Sequence, residues 1–479
     1  MLKTIIKKEV LETIFSYRFP LFALICLLLI PLGMMVNQAS YAKRVRDYSE
    51  QTRLANEAAA AIKLQDVMAG TVAVKGFRRP APLSVFTQGF ESTFPRYYEF
   101  TQDGFKPGES ASDDESILSV QGKVDFVFLV QMVISLIALL FASDMISGEK
   151  ESGTLRAMLA NRLPRDTLLA GKIGGGYLAL WIPFLVAFLL GAVVLMLAAF
   201  PLFGGDAAPR VLIIFLATSL FILTYFTLGI AVSTSAAKAR TSLVAILIVW
   251  AAFQLIIPKL GDMVARLVYP VRTETQVSLE KSLLVRSLDM ETAKELGRQY
   301  DLVFGQAPRG AADDEKSPER KKWDPIRDDI QLRARERKGQ QLAAIDETYM
   351  QEKRRQINLA VNLSLVSPSA AFARFIADVC GTGELERAKY IEAVRSHQKA
   401  LDNELFSKVK RTLMMHEGGM SMSFSAMPVD ASKLPKFSIV PASVAETFKA
   451  NARSLISLLF WLIAPFAFAY AKFSKYDVR

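Results

Sequence analysis

Six apolar runs, each long enough to cross a lipid bilayer as a helix, decide what this chain can fold into. They cover about 19–37, 124–146, 174–200, 210–232, 240–258 and 453–472. A hydrocarbon core about 30 Å thick needs roughly 20 apolar residues of helix. Inside it every backbone N–H and C=O must find a partner within the helix itself. The chain is 51% apolar and still 22% charged. That mixture excludes both an ordinary soluble protein and a chain wholly in lipid, and predicts spans plus sizeable water-exposed parts. The first run resembles a secretory leader, with small residues at Ser40-Tyr41-Ala42. Residues 1–18 before it carry Glu9 and Glu12 and read as a helix, so the run is expected to remain as span one.

The net charge is +11. Its basic residues are interleaved with acids and no nucleic-acid motif is present, so no nucleic-acid partner is expected. Cys26 and Cys380 lie far apart and cannot build a disulfide framework. With His397 and His416 as the only histidines, a His/Cys zinc site is not expected.

Basic residues in short loops set the orientation. Lys3, Lys7, Lys8 and Arg18 precede span one. Lys150, Arg156, Arg162, Arg165 and Lys172 fall between spans two and three. Lys238 and Arg240 separate spans four and five, and Lys472, Lys475 and Arg479 close the chain. Six spans put all four groups on one side, the cytoplasmic one, with both termini. The segments 38–123, 201–209 and 259–452 then lie outside, and 473–479 is a cytoplasmic tail. The fifth run is short at its outer end and places Trp250 and Pro258 near that interface.

The fold class that follows is an all-α polytopic membrane protein, six transmembrane helices, with a mainly helical extracytoplasmic domain built from two inserts, 38–123 and 259–452. In the first insert, Tyr41 to Val67 is rich in helix formers. In the second, 272–304 reads as a long helix and 306–323 as a polar break. Asp324-Pro325 then reads as an N-cap followed by a proline at the first helical position. A helix from Glu384 sets Leu385, Ile391, Val394, Leu401, Leu405 and Leu413 on one side and stops at Gly418-Gly419. Two Pro-punctuated pieces, 78–95 and 420–441, read as loops or short strands. These inserts are either a solvated structural domain or a surface that meets cargo or another protein, and their length favours the second.

No phosphate-cradling loop is present: Gly171-Lys172 lacks the upstream glycine and the following hydroxyl. Nucleophile elbows, zinc-protease motifs and Cys-x-x-Cys are absent as well. The chain is therefore not expected to be an enzyme or to bind a cofactor of its own. Gln131, Ser135, Tyr225, Thr227 and Gln254 are polar residues inside spans. They mark a pathway or, the favoured reading, hold helices together. Asp125 and Asp144 sit at span ends. Met414, Met415, His416, Met420, Met422 and Met427 cluster; thioether and imidazole suit Cu(I), while a flexible apolar surface explains the same residues and is preferred.

The loop between spans two and three is the most specific segment. Glu149, Glu151, Gly153, Thr154, Leu155, Pro164, Arg165 and Lys172 crowd into 147–173. A short polar helix there is suited to docking in a groove of a soluble partner. The segment Leu2 to Tyr17 opposes Leu2, Ile5, Ile6, Val10, Leu11 and Phe15 to Lys3, Lys7, Lys8 and Glu9, an amphipathic helix lying in the interface.

This string resembles the E-x-E-x-G-T-L … P-x-R … G-K signature of ABC-2 type transporter permeases, although Arg165 here follows Pro164 directly. An interfacial elbow helix, 1–18, and six spans also match that family. Pro80-Ala81-Pro82-Leu83-Ser84, Gly89-Phe90-Glu91, Ser367-Pro368-Ser369, Gly381-Thr382-Gly383 and Tyr476-Asp477-Val478-Arg479 resemble the branch grouped with multicopper-enzyme maturation permeases, which carries large extracytoplasmic inserts. The resemblance implies a permease subunit in a bacterial cytoplasmic (inner) membrane. It implies a second permease copy or a sister permease, and a dimer of separate ABC ATPase subunits carrying ATP and Mg. The 147–173 segment would be the coupling region. The complex would export or move a hydrophobic or envelope-associated cargo. The alternative is a mechanotransmission or scaffold protein acting on a periplasmic or envelope partner without transport.

Overall fold

The computed structural model describes residues 2–61, 74–91, 94–101, 104–108, 125–160, 164–198, 200, 202, 204–305, 317–404, 409–416, 419–426 and 435–476. They divide into two compact units, Met1–Ile256 with Leu365–Arg479, and Ile257–Ser364. Among the described residues six helices are long and apolar enough to cross a membrane: Arg18–Glu57, Phe126–Ser152, Arg165–Leu197, Ala207–Ser235, Ala239–Val268 and Ala452–Ser474.

In the first unit, α1 (Leu2–Ile14) is separated from α2 (Arg18–Ala61) by a turn in which Ser16 Oγ donates to the Thr13 carbonyl at 2.7 Å. The 44 residues of α2 make a helix of about 66 Å. Its buried positions Phe22, Cys26, Ile30 and Met34 recur every fourth residue, so one stripe packs while the rest stays apolar and exposed, as lipid requires. Span two is an α–π–α run: α3 (Phe126–Leu129), a π turn over Val130–Ile134, and α4 (Ser135–Ala142). Two short helices follow, α5 (Ser147–Ser152) and α6 (Thr154–Ala160). Then come α7 (Arg165–Leu197) and α8 (Ala207–Ser235). α8 is the hub of the unit, touched by α4, α5, α7, the helix Ala239–Ala251, the helix Pro368–Val379 and the helix Ala452–Ser474. α9 (Ala239–Ala251) runs into a second π turn, Ala252–Ile256.

Glycines let the helices of this unit approach closely. A Cβ on Gly176 would meet the Phe226 ring at 2.5 Å, and one on Gly229 would meet the Ala142 Cβ at 2.5 Å.

The second unit consists of α10 (Ile257–Val268), α11 (Glu274–Phe304) and α12 (Pro318–Ser364). Thr273 opens α11 with a reciprocal capping box to Gln276. α12 begins at Pro318 with the Arg320 N–H on Ser317 Oγ at 3.1 Å. The helix expected to start at Asp324-Pro325 therefore starts earlier, and Pro325 lies inside it. Trp323 is held against the rings of Tyr300 and Phe304, which orders the added turns.

The first unit resumes with α13 (Pro368–Val379), α14 (Glu384–Glu404), α15 (Val444–Ala450) and α16 (Ala452–Ser474). Two small antiparallel sheets accompany the helices. One joins β1 (Val74–Phe77), β2 (Tyr97–Thr101) and β3 (Gly104–Pro107), with Lys75 opposite Glu99 and Phe100 opposite Phe105. It packs on α14 through Phe94, Phe100, Tyr390, Val394 and Leu401. The other pairs β4 (Val409–His416) with β5 (Gly419–Ala426). The helix expected to run from Glu384 to Leu413 thus ends at Glu404, and Leu413 stands in a strand opposite Met422. Spacing alone could not separate the two, because Leu401, Leu405 and Leu413 also fit a helical stripe, while Val409 and Thr412 favour a strand.

Candidate functional site

The segment after span two gathers bonds from α1 and from spans three to six. α5 and α6 are two short helices rather than the single one expected. Gly153 joins them with φ +77°, a left-handed cap that a side chain adopts only under strain. Nothing lies within 4 Å of a Cβ built there, so conformation and not crowding calls for glycine.

Glu149 reaches Lys172 Nζ at 2.6 Å, and the same ammonium reaches Glu9 at 2.9 Å. Lys172 is 1% and Glu9 4% exposed. One cation thus ties α1, α5 and the start of α7 together. The second oxygen of Glu149 is buried with no partner. α1 can lie this close because α7 presents glycines to it. A Cβ on Gly171 would meet Ile5 Cγ2 at 2.5 Å, and one on Gly175 would meet the Glu9 Cβ at 2.6 Å.

Ser233, near the end of span four, accepts the N–H groups of Ile146 at 3.2 Å and Ser147 at 3.0 Å and donates to the Ser143 carbonyl at 2.9 Å. Lys150 donates to the carbonyls of Thr234 and, at 3.4 Å, Ala236, and lies 5.3 Å from the centroid of the Tyr476 ring. Glu151 accepts the Ala239 N–H at 3.0 Å, placing an anion at the N-terminus of span five where the helix dipole favours it. Arg165, in the first turn of α7, donates to the carbonyl of Ser474 at the end of span six. Arg18, at the start of span one, pairs with Asp144 at 2.9 Å.

Of the residues singled out in this loop, Leu155 is fully buried, while Glu151, Thr154 and Pro164 are exposed. Thr154 Oγ1 lies 2.9 Å from Ser152 Oγ. Glu149 and Lys172 face inward, so the exposed face belongs to Glu151, Thr154 and Arg156. Sequence reasoning missed Ser233 and Lys150, and it set Glu9 on the polar face of α1. Glu9 follows Ile5 by one helical turn and shares its inward side; that spacing was the available signal.

A second polar cluster lies within the spans and joins Gln131, Ser135, Tyr225 and Gln254, while Thr227 donates back to the Thr224 carbonyl at 2.9 Å. Gln254 Nε2 reaches the Gln131 carbonyl at 2.7 Å, Ser135 Oγ at 3.0 Å and Tyr225 OH at 3.2 Å. Gln131 Nε2 donates to the Ser369 carbonyl at 2.7 Å, and the Tyr225 and Ser369 hydroxyls bond each other. Ser367 caps α13 and donates to the Phe253 carbonyl at 2.6 Å. Trp250 donates to Ser135 Oγ at 3.1 Å. Gln131 and Gln254 each stand on one of the two π turns, insertions that recur at functional positions in helices. α13 lies along α8, with its start at Tyr225 and its end at Arg210, whose guanidinium holds the Val379 carbonyl at 2.8 Å.

The methionine cluster spreads over a hairpin, with Met415 opposite Met420, Met414 opposite Ser421 and His416 opposite Gly419; Met427 lies outside the described residues. A family model described as ABC-2 family transporter protein matches residues 3–478. Comparison with curated proteins finds no match.

Proposed function

Since the chain belongs to the ABC-2 family of transporter proteins, we propose that it is the permease half of an ATP-driven pump and that segment 147–173 takes up the force. The observation that carries this is the set of bonds around α5 and α6. Ends of spans three to six, together with α1, are tied to one short segment through Lys172, Ser233, Ala239 and Ser474, and Arg18 at the start of span one pairs with Asp144 just before that segment. A push on the exposed Thr154 face is then shared by these spans as a rigid-body shift.

In this reading ATP and Mg are held by two separate ATPase subunits beneath a pair of permeases, identical or sister chains, in a bacterial inner membrane with both termini inside. The cargo is hydrophobic or envelope-associated. The Gln131–Gln254–Tyr225–Ser369 network is the closed state of the route. Its donors and acceptors are spent on one another, and opening it requires α13 to part from the π turns.

A second reading keeps the ATPase but moves no cargo: span motion drives an external part against an envelope partner. The long hairpin of the second unit favours it, since the 47 residues of α12 reach about 70 Å.

The test is to co-express the chain with ABC ATPase subunits from the same cell and attach a short cross-linker at Thr154→Cys. The native Cys26 and Cys380 are both buried, so labelling is confined to the new thiol. Cross-linking to the ATPase from residue 154, and none from a cysteine at the likewise exposed Ser49, supports the coupling surface. If no ATPase co-purifies and none cross-links, the proposal is wrong.

A further inference from the structure

α1 packs with one side and leaves the other bare. Leu2, Ile5, Ile6 and Glu9 lie against Gly171, Gly174 and Gly175 of α7. The opposite side is divided along its length. Its first two turns present Lys3, Thr4, Lys7 and Lys8, all exposed; beyond them come Leu11 and, in the turn that follows the helix, Phe15. Thr4, Lys7, Leu11 and Phe15 follow one another at helical spacings and line one open groove. Lys8 is paired with Glu12 at 3.2 Å. Lys3, Lys7 and the Thr4 hydroxyl have no partner among the described residues. The chain that follows fixes what covers this side. Only residues 15–17 separate α1 from span one. Phe15 and Tyr17 are each 82% exposed, and Leu21, Leu24, Leu28 and Leu32 continue as an exposed apolar stripe at spacings of three and four. Span one crosses the hydrocarbon, so its exposed stripe meets acyl chains, and a helix joined to its first residue by so short a turn lies at headgroup level. Packing agrees, because Gly171 to Gly175 fall within the first three turns of span three.

We propose that the free side of α1 is a binding site for an anionic phospholipid of the adjoining leaflet. Lys3, Lys7 and the Thr4 hydroxyl hold its phosphodiester, and an acyl chain runs along Leu11 and Phe15 toward the stripe of span one. Two unpaired ammonium groups beside a free hydroxyl specify an anion. The apolar residues one turn away specify that the anion carries a hydrocarbon tail. A protein partner is a poorer match, because Phe15 and Tyr17 run without a break into a surface that lipid already covers. The lipid clamps α1 from the side opposite Glu9, the residue that joins this helix to Lys172. The proposal rests on the six spans and is independent of the ATPase reading.

The test uses the full chain in phosphatidylcholine nanodiscs, with an apolar bimane label at Leu11→Cys; the native Cys26 and Cys380 are buried and stay unlabelled. Plain phosphatidylcholine is replaced stepwise by either phosphatidylglycerol or phosphatidylcholine with brominated acyl chains, which quench the label on contact. The expected result is half-quenching at a mole fraction of brominated phosphatidylglycerol about tenfold lower than that of brominated phosphatidylcholine. Salt at about 0.5 M should narrow the gap. Lys3→Gln combined with Lys7→Gln should bring the two curves together, and an unchanged phosphatidylcholine curve in that variant shows α1 still in place. Equal half-points in the parent chain, or a preference that survives the double variant, overturns the proposal. Absence of quenching by either lipid also overturns it, because protein then covers this side. So does loss of the preference on adding millimolar glycerol phosphate, which would assign the lysines to a soluble anion.

Discussion

A Lys172→Leu substitution removes the ammonium held between Glu9 and Glu149 and leaves a shorter, apolar side chain in its place. Its Nζ stands 2.9 Å from one carboxylate oxygen and 2.6 Å from the other. The two oxygens therefore lie no farther apart than those bonds laid end to end. Two like charges about 5 Å apart at an effective dielectric near 20 repel by about 3 kcal/mol. Removing one partner of a buried ion pair carries a penalty of about 3–5 kcal/mol by comparison with other proteins. The Glu149 side chain retains 18% exposure, so the lower end, about 3 kcal/mol, is the expectation. Cys26 and Cys380 are free and buried, so a thiol-reactive dye that fluoresces on reaction reports unfolding on heating. Lys172→Leu should lower the midpoint clearly. The triple change Glu9→Gln, Glu149→Gln, Lys172→Leu, which leaves no stranded charge, should recover most of the loss. An unaltered midpoint in the single variant, or a triple variant as unstable as the single, would refute the view that charge balance holds α1 to α5 and α7.

Gly175→Ala sets a methyl 2.6 Å from the Glu9 Cβ and 3.0 Å from the Ile6 carbonyl, an overpacking of about 1–3 kcal/mol; hydrogen exchange should speed up in α1 and stay unchanged in α14. Gly153→Ala should destabilise by about 1–2 kcal/mol through its positive φ, with Gly153→Asn in between, as thermal midpoints will show. Gln254→Leu takes the donor from the Gln131 carbonyl and from the Tyr225 and Ser135 hydroxyls, an expected loss of about 1–3 kcal/mol; labelling of a cysteine placed at Ser369 should rise as α13 loosens. His397 packs 4.6 Å from the Phe100 ring and 5.3 Å from that of Phe437, and burial pushes its pKa down. The unfolded chain then takes up the proton first, so stability present above about pH 6.5 declines as pH falls below it. A His397→Phe variant should lose that part of the pH dependence in dye-reported unfolding.

The spans could be found in the sequence because partition into lipid depends on the summed composition of a run, a property each segment carries by itself. The same holds for the family resemblance of Glu149 to Leu155, borne out by the family match, and for the long helix near 272–304, where local helix formers agree with a capping signal at Thr273. Which residues would meet was a different matter. Glu149 and Lys172 belonged to one string in the sequence, but their union through Glu9 required α1 to rest on the glycine face of α7. Gln131, Tyr225 and Gln254 were separate polar residues in three spans. Their meeting depended on two π turns, which rotate the helix face, and on α13, whose position along α8 no local pattern announces. The strand at Val409–His416 was hidden because its apolar spacing also fits a helix. Composition and periodicity determined that six helices cross a membrane with a charged loop between the second and third. Only packing decided the rotation of each helix, and rotation selects the side chains that face one another, because it is set by the partner's surface and not by the helix's own residues.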